Sequence, residues 1–171
     1  MARNFMCTKT DPVVETKAGK LRGFQLDGTY VFHGVKYADA KRFHQPTPVE
    51  PWEGIKSARA YGDVCPMRQQ DQPSNELMGP HRYWPLDENC QYLNIWTQHL
   101  DPNAKKPVLV WLHGGGFAAG SSIEHIAYEG ENMSKYGDVV VISLNHRLNI
   151  LGYLDLSPFG EEYKNSGNAG N

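Results

Sequence analysis

The sequence predicts an α/β fold, in which a small antiparallel meander precedes the first strands of a mostly parallel central sheet. Two runs, 108–112 and 139–144, are apolar except for Ser143 and are rich in valine, leucine and isoleucine. Such runs are typical of strands that are buried on both faces of a parallel sheet. The segment 113–138 between them is long enough for a crossover connection, and we expect a short helix within residues 123–135.

The meander is predicted for the N-terminal part of the chain. Three short strand-like runs between residues 13 and 33 are separated by Ala-Gly and Asp-Gly dipeptides. These dipeptides favour tight hairpin turns. We therefore expect residues 13–37 to form an antiparallel meander and residues 1–12 to be flexible.

A proline-rich segment, 38–92, follows the meander and contains seven prolines. Because proline removes a backbone donor and fixes φ, this segment is expected to be mostly irregular. Residues 93–171 then supply the central-sheet strands. Two doubly buried strands need helices on both faces of the sheet, and this chain offers about one helix. We expect residues 1–171 to be the N-terminal part of a single domain whose remainder is absent from this chain.

Charge and composition exclude several classes of function. The net charge is −2 and no basic run extends beyond Lys105-Lys106, so neither nucleic acid nor an anionic membrane is an expected partner. No window approaches the roughly 18 apolar residues of a membrane span, and residues 1–10 lack a signal-peptide core. We expect a cytoplasmic protein. Three widely spaced cysteines fit neither a disulfide scaffold nor a zinc site, and no metal or cofactor is expected.

The sharpest chemical signal is the run His113-Gly114-Gly115-Gly116, which directly follows the apolar run 108–112. Glycines leave backbone N–H groups accessible and adopt positive φ readily, so neighbouring N–H groups can converge on one point. That arrangement holds the oxyanion of a tetrahedral intermediate. A glycine run alone would favour a flexible or tight turn. The preceding strand and the flanking histidine and phenylalanine favour the oxyanion interpretation, as in the HGGG-type motif of lipases and esterases.

Six segments, in order from about residue 13 to the end of the chain, resemble the type-B carboxylesterase/cholinesterase family, and the bacterial para-nitrobenzyl esterase-like members in particular. The resemblance implies the N-terminal part of an α/β-hydrolase fold. The matching segments are 32–38 (FHGVKYA), 42–46 (RFHQP), 88–96 (ENCQYLNIW), 107–117 (PVLVWLHGGGF), 145–154 (NHRLNILGYL) and 167–170 (GNAG).

The resemblance implies a serine esterase that hydrolyses small-molecule carboxylic esters through an acyl-enzyme. The family's second and third glycines donate to the oxyanion, which assigns Gly115 and Gly116 here, with Gly114 and His113 in support. The family's nucleophile lies in a G-x-S-x-G pattern that this sequence lacks, and its acidic residue and histidine come later. The triad is therefore expected in a C-terminal remainder, which can be a second chain. This chain alone is expected to be inactive.

The resemblance also assigns two structural pairs. Arg42 and Glu88 match an ion pair across the family's irregular loop, and residues 38–92 correspond to the rim of its active-site gorge. Cys65 and Cys90 match a pair that forms a disulfide in secreted members. Because no signal peptide is visible, reduced buried thiols are expected here.

Two departures from the family pattern lie close together. His146 stands where the family usually has tyrosine, and Asn149 stands where glycine is common. We expect neither substitution to touch the chemistry.

Two alternatives to this interpretation remain open. A smaller esterase of the hormone-sensitive lipase type also carries an HGGG motif, but it lacks counterparts of the segments at 32–38 and 88–96. A cholinesterase-like adhesion protein keeps the fold without catalysis and acts as a binding module. A G-x-S-x-G pattern soon after Asn171 would favour the esterase.

Overall fold

The computed structural model describes residues 2–67 and 81–170, so that Pro73, Pro80 and Asn171 lie outside the described residues. Short strands dominate, joined by turns and by brief helices. The strands are β1 (Phe5–Met6), β2 (Val13–Glu15), β3 (Lys20–Arg22), β4 (Phe24–Leu26), β5 (Thr29–Lys36), β6 (Ala38–Asp39), β7 (Thr47–Pro48), β8 (Ile55–Ser57), β9 (Tyr92–Thr97), β10 (Val108–Leu112) and β11 (Val140–Leu144). The helices are α1 (Glu131–Gly137), α2 (Asn149–Tyr153) and 3-10 helices at Pro102–Ala104, Ile126–Tyr128, Ser157–Phe159, Glu161–Tyr163 and Ser166–Asn168.

The main sheet is mixed and has the strand order β1-β4-β5-β9-β11-β10. Strands β10 and β11 are parallel, and the other neighbouring pairs are antiparallel. Leu112 lies opposite Leu144 in the register of the parallel pair. Because parallel strands end at the same edge of a sheet, the residues that follow Leu112 and those that follow Leu144 lie side by side.

The N-terminal hairpins are divided between two sheets. Strands β2 and β3 pair with each other, and β8 joins β3 in a three-stranded sheet, whereas β4 pairs with β5 in the main sheet. The division falls at Gly23, where a Cβ would lie 2.2 Å from the carbonyl oxygen of Val31. This arrangement differs from the single meander predicted for residues 13–33, because turn dipeptides specify hairpins but not the sheet that each hairpin joins. The structure also contains strand β1 within residues 1–12, which were expected to be flexible.

Both faces of the main sheet are covered at its centre, because successive residues of a strand point to opposite faces. On one face, Val31 packs with Trp96 and Val141, and α1 contacts β9 and β11. On the other face, Phe32 packs against Leu21 of β3. The three-stranded sheet therefore closes the second face.

Strand β10 is the outer strand of the main sheet, and all five of its residues are exposed. Val108 is 59% exposed and Leu112 is 63% exposed. The sequence pattern predicted burial on both faces. In the described part of the chain, β10 has a strand partner on the β11 side alone. An apolar run predicts a strand that pairs with other strands along both of its edges. Among the described residues, one edge of β10 has no such partner.

The crossover from β10 to β11 contains less helix than its sequence predicted. A 3-10 helix, Ile126–Tyr128, precedes α1, which begins at Glu131 rather than within 123–130. Gly130 stands directly before α1, and a Cβ there would lie 2.6 Å from the Cβ of Val141. The start of α1 therefore docks closely on the sheet. Among the residues that the structure describes, no helix is long and apolar enough to cross a bilayer.

Candidate active site

The glycine loop (residues 113–120) begins where β10 ends. Gly115 and Gly116 have φ values of 122° and 61°, a region that residues with a Cβ rarely enter. The N–H groups of Ala118 and Ala119 both donate to the carbonyl oxygen of Gly115, at 3.1 and 3.2 Å. The loop therefore curls back on itself immediately after the strand.

The N–H groups of Gly115 and Gly116 are available to a ligand. Within residues 2–67 and 81–170, neither N–H donates to a protein acceptor, and both residues are exposed. A backbone N–H that lacks a protein partner is solvated or binds a ligand. An oxyanion is bound by N–H groups of this kind when they are aimed at one point.

The two glycines are constrained for different reasons. A Cβ on Gly115 would lie 1.9 Å from the carbonyl oxygen of Ala119, whereas a Cβ on Gly116 would meet no atom within 4 Å. Any side chain at position 115 therefore forces the loop open. At position 116 the cost is limited to backbone strain at a positive φ.

The His113 side chain contacts the start of the glycine loop. Its side chain is buried, with 8% of the residue exposed, and its Nδ1 lies 2.8 Å from the carbonyl oxygen of Gly114. A carbonyl oxygen only accepts, so this contact places the imidazole proton on Nδ1. The Gly114–Gly115 peptide is thereby held against the ring.

His146 and Asn149, the two departures from the family pattern, both contact the glycine loop. The rings of His146 and His113 stack with their centroids 5.0 Å apart and their planes at 21°. The N–H of Asn149 donates to the carbonyl oxygen of Phe117 at 2.7 Å. Asn149 has φ 51°, a conformation that asparagine tolerates better than most residues.

A cavity of about 720 Å³ lies beside the glycine loop at the ends of β10 and β11. Its wall includes Gly116 and the apolar side chains of Leu112, Phe117 and Leu144. The Tyr37 hydroxyl, also in the wall, donates to the carbonyl oxygen of Asn145 at 2.8 Å. Burial raises the pKa of Tyr37 to about 12, so its hydroxyl remains a neutral donor. In the described ranges, no group of three or more His, Cys, Asp and Glu side chains is placed to hold a metal ion.

A buried polar network fixes the sheet beneath the glycine loop. The Asn94 amide nitrogen donates to the hydroxyls of Ser122 and Ser143, at 3.2 and 3.4 Å. Its oxygen accepts the N–H of Gly34 at 3.1 Å, where β5 bulges away from β9. The Asn145 side chain accepts the Ser122 N–H at 2.8 Å. This network joins three strands to the segment that leaves the glycine loop, and its members were not singled out from the sequence.

We expect Asn94→Ala to lower the free energy of unfolding of the complete protein by about 2–4 kcal/mol, because it leaves the partly buried N–H of Gly34 and two buried hydroxyls without their partner. Urea denaturation measures the change. Asn103→Ala, on an exposed 3-10 helix, is the matched control and should stay within about 0.5 kcal/mol of the wild type. Equal denaturation midpoints for the Asn94 and Asn103 variants would contradict this role for the network.

Arg42 and Glu88 lie together, but on the surface. The Arg42 Nε donates to a Glu88 carboxylate oxygen at 2.7 Å, and a second nitrogen contacts the other oxygen. The two side chains are 63% and 31% exposed. Water and salt screen such a pair, so it contributes little to stability.

Glu88→Gln is accordingly expected to leave the melting temperature unchanged within error. Glu161→Gln removes a comparable exposed pair, with Lys164, and provides the reference in the same thermal melts. A clear loss of melting temperature in Glu88→Gln, absent from Glu161→Gln, would show that the pair ties the proline-rich segment to the sheet.

Cys65 and Cys90 are buried neighbours and free thiols in the structure. The N–H of Leu148 donates to the Cys65 sulfur at 3.1 Å. The hydrogen bond between the two thiols, together with burial, raises the pKa of Cys90, so this thiol stays protonated. Their redox state in the cell remains a prediction.

The chain is similar to carboxylesterases in both sequence and structure. Residues 10–171 match the Carboxylesterase family. The chain is 36% identical over 162 residues to para-nitrobenzyl esterase of Bacillus subtilis (strain 168), covering 92% of this chain and 32% of that protein. It is 41% identical over 150 residues to phenmedipham hydrolase of Pseudarthrobacter oxydans, covering 85% of this chain and 30% of that protein.

Solved structures agree with these sequence matches. An esterase from the anaerobe Clostridium hathewayi, described as able to hydrolyse aliphatic aromatic polyesters, superposes with a TM-score of 0.94 at 64% identity, over 99% of this chain and 34% of that one. The carboxylesterase EST55 of Geobacillus stearothermophilus, in its structure at pH 6.2, gives a TM-score of 0.76 at 38% identity, over 92% of this chain and 31% of that one.

The fold is therefore the N-terminal part of an α/β-hydrolase. The chain belongs to the carboxylesterase family, type B. It spans about a third of the length of the curated relatives that it matches.

Proposed function

We propose that the complete protein is a carboxylic ester hydrolase that acts by serine acyl transfer, and that this chain supplies its oxyanion hole. The observation that carries the proposal is the pair of exposed N–H groups on Gly115 and Gly116, without protein acceptors among the described residues, at the end of β10. The serine, the acidic residue and the histidine would come from the remainder of the protein, since this sequence has no G-x-S-x-G pattern. This chain alone would be inactive.

The two N–H groups would act on the transition state. When a serine oxygen adds to an ester carbonyl, a histidine takes the serine proton and negative charge develops on the carbonyl oxygen. Donors that are already oriented bind this charge more tightly than they bind the neutral carbonyl, which lowers the barrier. The carbonyl then re-forms as the alcohol leaves with the proton from histidine. Water releases the acid from the acyl-enzyme by the same steps.

The substrates would be esters with an apolar or aromatic group next to the carbonyl or the alcohol oxygen. Leu112, Phe117 and Leu144 give the cavity beside the glycine loop a largely apolar wall. The names of the relatives point the same way, since they specify a para-nitrobenzyl ester and an aliphatic aromatic polyester. Because the chain is 64% identical to the polyester-hydrolysing esterase, such a polyester belongs in the substrate panel.

The test uses the complete polypeptide. We expect it to hydrolyse para-nitrophenyl acetate and butyrate and to be labelled stoichiometrically by a fluorophosphonate, which reacts with activated serines. An aliphatic aromatic polyester film, assayed by release of soluble acid, extends the panel. A folded, complete protein that neither turns over these esters nor takes up the probe would contradict the proposal and favour the non-catalytic binding module.

A further inference from the structure

We propose that His146 is a positioning residue for the glycine loop, holding it in the conformation that presents the two N–H donors. The role rests on the proposed ester hydrolysis. His146 follows β11, and its position beside the glycine loop results from the parallel pairing of β10 with β11. It would act through other side chains and would not touch the substrate's reacting atoms.

The first contact runs through His113. The His146 ring lies nearly parallel to the His113 ring, with 5.0 Å between centroids, within the usual range for stacked aromatic pairs. His113 in turn holds the carbonyl oxygen of Gly114 through its Nδ1. The Gly114–Gly115 peptide, which carries the first donor N–H, is therefore held by a ring that the His146 ring stacks against.

The second contact runs through Tyr153 of α2. The Tyr153 hydroxyl lies 3.5 Å from Nδ1 of His146, and the Tyr153 ring packs edge-on against Phe117 at 5.2 Å between centroids. Phe117 directly follows Gly116. His146 is thus connected to the residue before the two donors and to the residue after them.

The orientation of His146 is itself fixed. Its Nδ1 lies 3.0 Å from the carbonyl oxygen of Arg147, and the ring is partly buried in the cavity wall. Burial, together with the neighbouring His113 ring, lowers the pKa of His146, so it is neutral near pH 7. A neutral His146 ring places no charge against the His113 ring, so the stacking is not opposed by repulsion from His146.

Loss of the His146 ring should impair the chemical step more than substrate binding. A displacement of about 1 Å in a catalytic group can cost on the order of 10²-fold in rate. Substrate binding to the apolar wall does not require aligned donors. We therefore expect His146→Ala in the complete protein to lower kcat by about 10–100-fold, with KM changed far less.

Two further variants separate positioning from general stability. Tyrosine is the usual residue of the family at this position and keeps a flat ring, so His146→Tyr should recover most of kcat. His99→Ala removes an exposed histidine that pairs with Asp138 rather than with the glycine loop, and it should behave as the wild type. Rates are referred to the active sites titrated by the fluorophosphonate, which removes differences in folded fraction.

A transition-state analogue provides an independent measurement. Trifluoromethyl ketones form a serine adduct whose oxyanion occupies the hole, so their affinity should fall in His146→Ala in parallel with kcat. Unchanged kcat and ketone affinity in His146→Ala, or equal losses in the alanine and tyrosine variants, would overturn the positioning role in an active esterase. A complete wild-type protein without esterase activity would instead overturn the proposed function, and this role with it.

Discussion

Gly115→Ala in the complete protein is expected to lower kcat by about 10²–10³-fold, the usual cost of losing one oxyanion donor. The added Cβ would lie 1.9 Å from the carbonyl oxygen of Ala119, a separation that no local adjustment of a side chain relieves. The loop must open, and opening it displaces the N–H groups of residues 115 and 116, which we propose to bind the oxyanion together. The loss should appear in kcat at saturating para-nitrophenyl butyrate.

Gly116→Ala gives a graded comparison. A Cβ at position 116 would meet nothing within 4 Å. The only cost in this variant is the backbone strain of alanine at a positive φ, about 1–2 kcal/mol. We expect a smaller loss of kcat than in Gly115→Ala. Gly137→Ala lies at the end of α1, with ordinary contacts, and controls for the glycine-to-alanine change itself. Full kcat in Gly115→Ala, in a protein with wild-type melting behaviour, would remove the glycine loop from the mechanism.

Residues 1–171 expressed alone should hydrolyse no ester and should self-associate, whereas activity should appear when the remainder of the protein is added. The chain contains no G-x-S-x-G nucleophile. In addition, β10 presents five exposed residues and, within the described ranges, an outer edge without a strand partner. Long apolar edges of this kind pair with other chains and aggregate. Ester hydrolysis and size-exclusion chromatography, before and after mixing with the remainder, measure both effects.

A single charge on the exposed edge of β10 distinguishes the effect of self-association from the effect of the missing nucleophile. Val110→Lys, at a position that is 51% exposed, should reduce self-association of residues 1–171, because edge lysines oppose strand pairing. It should not create activity, since the nucleophile is still absent. Ester hydrolysis by the isolated, monomeric chain would contradict the assignment of the triad to the remainder.

The sequence was most informative where a pattern is local. The apolar runs placed β10 and β11, and the motif His113–Gly116 placed a loop with accessible N–H groups directly after β10. Each of these features depends on neighbours in the chain, which a single sequence displays. Membership of the carboxylesterase family followed from short motifs of the same kind.

Features that depend on residues distant in sequence were not predictable in this way. The break at Gly23 is set by the approach of Val31 and Phe32, and the role of Asn94 is set by partners 28–60 positions away. His146 shows the same limit, since its departure from tyrosine is visible in the sequence but its stacking on His113 is not. A periodic pattern reports whether a residue is buried, but not which residue it meets.

The order of strands in the main sheet also has a consequence for synthesis of the protein. Strand β11 lies between β9 and β10 in space, yet it is the last of the three in the chain. At 5–20 residues per second, the roughly 30 residues from β10 to its partner take about 2–6 s to translate. During that interval Val108–Leu112 has emerged from the ribosome with no neighbouring strand in the main sheet. We therefore expect the yield of folded protein in the cell to depend on chaperone occupancy of this nascent segment as well as on the stability of the finished fold.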